Sequence, residues 1–135
     1  MHTTPTGLQE ILYVSTLAAD APIRVVADIA VKARATNQQL DITGLLVFDG
    51  MHFCQQLEGS APELEALMQR IRLDPRHTDV AVLHQGPLAQ RRFRHFSLGY
   101  TSVEDVEALE RLQRLQGQAA VEAFVGLLSG LDMYG

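Results

Sequence analysis

The chain has no tryptophan, one cysteine and no surplus of positive charge, and each shortage narrows what it can be. The lone Cys54 rules out an internal disulfide and suits a reducing cytoplasm. A formal net charge of −5 argues against nucleic acid as a partner, because such binders normally carry a basic stripe. No apolar stretch approaches the ~20 residues of a membrane-spanning helix. The first residues, MHTTPTGLQE, lack the basic, apolar, small-residue succession of a secretion signal. There is no Gly-x-Gly-x-x-Gly, no P-loop and no nucleophile elbow. The five histidines (His2, His52, His77, His84, His95) have no metal-ligand spacing with Cys54 or with carboxylates. What is there is a balanced composition, 47% hydrophobic and 20% charged over 135 residues. That is enough for one domain with a real core and too little for two ordinary ones.

The pattern along the chain predicts alternating elements. Ile11–Ser15 (ILYVS) is β-branched and aromatic, hence a strand. Asp20-Ala21-Pro22 is a helix-start signal, and Ile23, Val26, Ala30 and Ala33 give that helix an apolar stripe that fades at Thr36-Asn37. Two apolar runs, ITGLLVF and MHFCQQL, flank Asp49-Gly50, the signature of a two-residue hairpin turn. Ser60-Ala-Pro-Glu63 reads as a capping box for a second helix carrying Leu64, Leu67, Met68 and Ile71, which Asp74-Pro75 stops. Val80–Leu83 and Phe93–Gly99 read as further strands. Ser102 with Asp105 caps a third helix bearing Val106, Leu109 and Leu112, Gly117 breaks it, and Ala120–Leu131 forms a fourth. The order β-α-β-β-α-β-β-α-α implies an α+β fold. Its first six elements follow the ferredoxin-like plan, with both crossover helices on one face of the sheet. The two C-terminal helices are assigned to the other face. Residues 1–100 are expected to form the main domain and 101–135 a helical extension.

The hairpin contains the first hint of chemistry. A two-residue turn pairs Phe48 with Met51, Leu46 with Phe53, Gly44 with Gln55 and Ile42 with Leu57. Cross-strand partners share a face, so the greasier face, the one under the helices, has Gln55 as its only polar member. A buried amide needs partners for two donors and two lone pairs, and leaving each empty costs ~1–3 kcal/mol. Beside a glycine, such an amide suits the wall of a slot for a flat, polar-edged molecule. From these two residues alone the plainer reading is a side chain bonded to neighbouring backbone, with Gly44 relieving a twist. Gln56 and Cys54 fall on the opposite face.

Five motifs, in order, resemble the BLUF family, blue-light sensors that use FAD. They are Tyr13 in the first strand, Asn37 ahead of Ile42-Thr43-Gly44-Leu45-Leu46, Phe53-x-Gln55-x-Leu57-Glu58-Gly59, Asp74-x-Arg76-His77, and Arg92-x-x-x-Phe96-Ser97. They span about residues 8–100. The resemblance implies a flavin ring held between the two helices and the sheet. Tyr13 and Gln55 would be the photoactive pair, and Asn37 would bind the polar edge of the ring. Arg70, Arg76 and His77 would stand near the ring edge and the ribityl-phosphate tail, with Ile29, Phe53 and Ile71 as apolar walls. In the family, light moves an electron and a proton from the tyrosine to the flavin. The pair recombines, and the glutamine is left with a stronger hydrogen bond to a flavin carbonyl, which gives a modest red shift. FAD is the expected cofactor, with FMN or riboflavin as alternatives.

The chain departs from the family where a tryptophan and, two residues on, a methionine are usual. Phe96 and Leu98 stand there, and neither side chain can exchange hydrogen bonds with Gln55. The red shift is expected to survive, with dark recovery and coupling through the last strand altered. Phe96 and Leu98 are the candidate relay. An acylphosphatase-like hydrolase is disfavoured because no glycine-rich phosphate cradle is present, so the chain reads as a switch rather than an enzyme. The rival reading is a flavin-free or degenerate interaction module. In either case part of the stripe of Val121, Phe124, Val125, Leu128 and Leu131 should cover the second sheet face, and the remainder is a candidate surface for a homo-oligomer, a dimer or larger, or for a downstream protein partner.

Overall fold

The alternating, β-branched character of the strand segments is realised as one twisted sheet. The computed structural model describes residues 7–22, 24–101, 107–128 and 131–134, with 97–101 and 131–134 in backbone only. The strands are β1 (Leu8–Leu17), β2 (Thr43–Phe48), β3 (His52–Ser60), β4 (His77–Pro87), β5 (Phe96–Thr101) and β6 (Leu131–Tyr134). The helices are α1 (Val25–Gln39), α2 (Ala61–Leu73), α3 (Ala108–Leu112) and α4 (Gly117–Leu127). The strand order is β4-β1-β3-β2-β5-β6. Its first four members form the antiparallel ferredoxin-like core. β5 then adds parallel to β2, and β6 antiparallel to β5.

Alternation along the strands makes two cores. Ile11, Tyr13, Ile42, Leu46, Phe53 and Leu57 meet Val26 and Ala30 of α1 and Leu64 and Met68 of α2 on one face. Leu12, Val14, Leu45, Val47 and Cys54 meet Leu109, Leu112, Ala120, Val121 and Phe124 on the other. The expected α+β sandwich, with two helices on each side of a ferredoxin-like sheet, is the observed one.

Several local expectations are corrected. The hairpin register is shifted: Phe48 pairs with Phe53, Leu46 with Gln55 and Gly44 with Leu57. The cause is Asp49, whose Oδ1 accepts the backbone N–H of Met51 at 2.9 Å and of His52 at 2.6 Å. That carboxylate closes a four-residue connection in place of the two-residue turn. The slip is two residues, an even number, so every side chain keeps its face.

α1 starts at Val25 with no side-chain cap. Asp20 therefore lies ahead of the helix rather than at its N-cap, and Asn37 sits inside its last turn. The extended segment after Asp74 begins at His77 and runs to Pro87, longer than Val80–Leu83, and β5 starts at Phe96 rather than Phe93. The expected helix Ala120–Leu131 ends at Leu127, and Leu131–Tyr134 is a strand on β5. A short apolar run cannot be assigned to helix or strand by periodicity alone. The Ser102–Asp105 cap, Val106 and the Ile23 contribution lie outside the described residues.

Gly44 owes its identity to a close approach. A Cβ at that position would stand 1.9 Å from the main-chain oxygen of Gln56. The backbones of β2 and β3 are this near only because no side chain intervenes.

Candidate functional site

Between α1, α2 and the sheet lies a cavity of about 350 Å³, the lower part of the range of small-molecule sites. Each element contributes by its own period. From α1 come Ile29, Lys32, Ala33, Thr36 and Asn37, spaced to share a helical face. From α2 come Leu67, Arg70 and Ile71. The sheet supplies Tyr13, Leu46, Phe53 and Gln55, and Asp74, Arg76 and His77 close one end.

Tyr13 and Gln55 are Cα partners across β1 and β3. The Tyr13 hydroxyl donates to Gln55 Oε1, so the Nε2 donors of the same amide are left for another acceptor. Burial pushes the Tyr13 hydroxyl far above the ordinary tyrosine value, with Cys54 and Asp74 adding to the effect. The phenol is therefore held neutral. Leu46 flanks Gln55 on the other side, in place of the Gly44 partner expected from a tight turn.

Asn37 is the anomaly of the site. It is 1% exposed, and both its Nδ2 and its Oδ1 lack a hydrogen-bond partner among the described residues. It is neither a core amide satisfied by neighbouring backbone nor a left-handed helix cap. Its main-chain oxygen accepts the N–H of Ile42 at 2.8 Å, which fixes the end of α1 against the start of β2.

The basic residues are less alike than their charges suggest. Arg76 is forked onto Asp74, Nε to Oδ1 at 2.9 Å and Nη2 to Oδ2 at 2.6 Å. The pairing holds the Asp74 carboxyl below the usual range, chiefly through the Arg76 hydrogen bond, and raises Arg76 for the same reason. His77 has both nitrogens engaged: Nε2 lies 2.7 Å from the Ile71 carbonyl and Nδ1 3.1 Å from Ser15 Oγ. Its ring meets Phe53 edge-on at 5.9 Å. It therefore shapes the wall, and the expectation of a basic group turned to a ligand does not suit it. Arg70 and Lys32 supply one cation from each helix.

All nine expected cofactor-site residues (Tyr13, Ile29, Asn37, Phe53, Gln55, Arg70, Ile71, Arg76, His77) line this one cavity. Phe96 is buried in the same core, and Leu98 is described by its backbone pairing with Leu46. The sequence reading assigned no site role to Leu46 and Asp74, and missed Lys32, Ala33, Thr36 and Leu67, although helical spacing from Ile29 and Ile71 points to these four. Cys54 lies in the opposite core, where burial pushes its thiol upward. Among the described residues no group of three His, Cys, Asp or Glu side chains is arranged to hold a metal. No helix among them is long and apolar enough to cross a membrane.

A family model described as "BLUF: Sensors of blue-light using FAD" matches residues 8–99. The "Blue light- and temperature-regulated antirepressor BluF" of Escherichia coli is 34% identical over 86 residues, covering 64% of this chain and 21% of the relative. The chain thus spans about a fifth of that relative's length. Among solved structures, "BlrB - a BLUF protein, dark state structure" is 31% identical with a TM-score of 0.66, covering 79% of this chain and 82% of the other. "BlsA photo-activated state", at 21% identity, shares the fold with a TM-score of 0.76 over 91% of this chain and 94% of its own.

Proposed function

The chain belongs to the BLUF family, sensors of blue light using FAD, and from that premise we propose that it is a light receptor switched by Tyr13 and Gln55. The observation that carries this reading is Asn37. A buried amide with both ends unpaired is costly in an empty protein. The edge of an isoalloxazine ring carries carbonyl and N–H groups that complement both ends. The ring's faces suit the walls made by Ile29, Phe53 and Ile71, so the residues present fit the group.

When bound, a flavin supplies blue-light absorption and an excited state that accepts an electron. The protein's part lies in Tyr13 and Gln55. A phenol held neutral by burial loses an electron readily only if its proton leaves too, and Gln55 Oε1 is the acceptor at hand. With a flavin bound, Gln55 would take that proton at Oε1 and give it back to the phenol, and a turn of the amide end for end would leave its donor and acceptor exchanged toward Tyr13. No covalent bond is made, so the product is an altered hydrogen-bond pattern and not a chemical one. Lys32 and Arg70, not clamped among the described residues as Arg76 is, suit an anionic tail and favour a phosphate-bearing flavin, FAD or FMN. Output passes by way of β5 and the C-terminal helices to a protein partner.

An absorption spectrum before and after blue light tests this directly. The protein purifies yellow or takes up flavin, its flavin bands shift to the red on illumination, and Gln55→Leu abolishes the shift. A shift unchanged in that variant overturns the role of Gln55. A chain that takes up no flavin overturns the receptor reading and leaves the interaction module.

A further inference from the structure

The face of the sheet away from the cavity carries a buried charged network that the switch does not use. Glu10 and Glu58 are Cα partners across β1 and β3, and both are buried. Like charges directly opposite each other repel, so the pair requires compensation from elsewhere. Glu58 accepts the Thr43 hydroxyl at 2.9 Å and the backbone N–H groups of Arg92 and Phe93 at 2.9 and 3.2 Å. Glu10 accepts the Gln56 amide and the Arg92 guanidinium, each at 2.6 Å, and its other oxygen lies 3.3 Å from His84 Nε2. Arg91 bonds Thr43 Oγ1 at 2.8 Å and the Glu58 carbonyl at 3.0 Å. Apart from Asp41, whose carbonyl accepts from Arg91 at 2.9 Å, everything in this network that does not belong to β1–β4 belongs to residues 91–93. Those residues lead directly into β5 at Phe96.

The obvious route from Gln55 to β5 is poor. β2 stands between β3 and β5, with Leu46 partnering Gln55 on one side and Leu98 on the other. Leucine and phenylalanine side chains offer no hydrogen bond to exchange. Gln55 and Gln56, by contrast, share a peptide and project to opposite faces, so β3 itself joins the cavity to the network. The Gln56 amide has one end on Glu10 and the other, Oε1, buried without a partner among the described residues. Gln56 Nε2 and Arg92 Nη1 meet on the same Glu10 oxygen, which puts the two groups side by side. A second arrangement is therefore within reach, in which the amide turns and Oε1 accepts from Arg92. Two discrete hydrogen-bond patterns are what a relay requires.

We propose that Gln56 and Glu10 are positioning residues that carry the rearrangement of Gln55 from β3 to Arg92, and so set β5. The inference rests on the receptor reading above. Its test is hydrogen–deuterium exchange of the flavin-loaded full chain, dark and illuminated, with the spectrum recorded in parallel. The wild type shows a light-minus-dark difference in residues 88–100. Gln56→Leu and, separately, the exposed-side variant Arg92→Met keep the red shift and lose that difference. A merely structural role would raise exchange equally in light and dark and leave the difference in place, and that result overturns the proposal. So does a wild type that shifts to the red with no light-dependent exchange in 88–100. A wild type with no red shift fails the receptor reading instead, so the two failures are distinguishable.

Discussion

Asn37 faces opposite demands from folding and from binding. Its two buried amide atoms find no partner among the described residues, whereas a polar-edged ligand turns both into hydrogen bonds. Asn37→Leu is therefore expected to raise the melting temperature of the flavin-free protein and to weaken flavin binding about tenfold, or ~1.4 kcal/mol. Thermal denaturation and a fluorescence titration read the two effects, and effects of the same sign would contradict the assignment. Tyr13 makes a second residue-scale prediction. Its folded value is raised above the ordinary 10.0 by burial, so the neutral phenol is favoured in the folded state. The stability it contributes is complete below about pH 10 and is lost as the pH climbs beyond it. In an alkaline titration the Tyr13 tyrosinate signal should appear only with the loss of circular dichroism, and Tyr13→Phe should remove that late component.

At the scale of the element, the β2–β3 hairpin shows which parts of a strand pattern are robust. Alternation assigned Gln55 to the helix-covered face, and the side chain is there. The register was not legible, because it turned on the Asp49 carboxylate capturing two backbone N–H groups, a choice between loop lengths that Asp-Gly alone does not decide. Gly44 thereby changes its explanation. It does not make room opposite Gln55. It admits the Gln56 carbonyl, so Gly44→Ala should cost about 3 kcal/mol in a denaturant titration, a loss that repacking a side chain cannot relieve. A cost under about 0.5 kcal/mol, ordinary for a surface change, would show that the strands can separate locally. The buried carboxylates belong to this scale as well. Nothing in the sequence reveals that Arg91 and Arg92 are bonded to Glu58 and Glu10.

For the molecule as a whole, the sheet is sandwiched between two cores of different purpose. One holds the cavity, and the other is filled by α3 and α4. The division proposed from the sequence, residues 1–100 and 101–135, is therefore expected to unfold as one unit. Removing residues 107–135 uncovers Leu12, Val14, Leu45, Val47 and Cys54. Each buried aliphatic side chain contributes ~1.5–3 kcal/mol, so the loss rivals the ~5–15 kcal/mol of a whole domain. The truncated chain should show no cooperative melting transition. Flavin acts on the same balance from the other face: at a hundred times its dissociation constant it should stabilise the full chain by about 2.7 kcal/mol.

The sequence by itself determined the α+β plan and nine of the residues that line the cavity, though not β6 or the cavity residues Lys32, Ala33, Thr36 and Leu67. Periods of two and 3.6 dictate which side chains share a face, and five spaced motifs bring Tyr13, Asn37 and Gln55 to the same cavity. Only the tertiary structure decided how those groups are satisfied. It left Asn37 unpaired, tied up Arg76 and His77, set the hairpin register, and joined Gln56 and Glu58 to residues more than thirty positions away. The physical reason is that a face follows from local backbone geometry, whereas a hydrogen-bond partner follows from which distant strands meet.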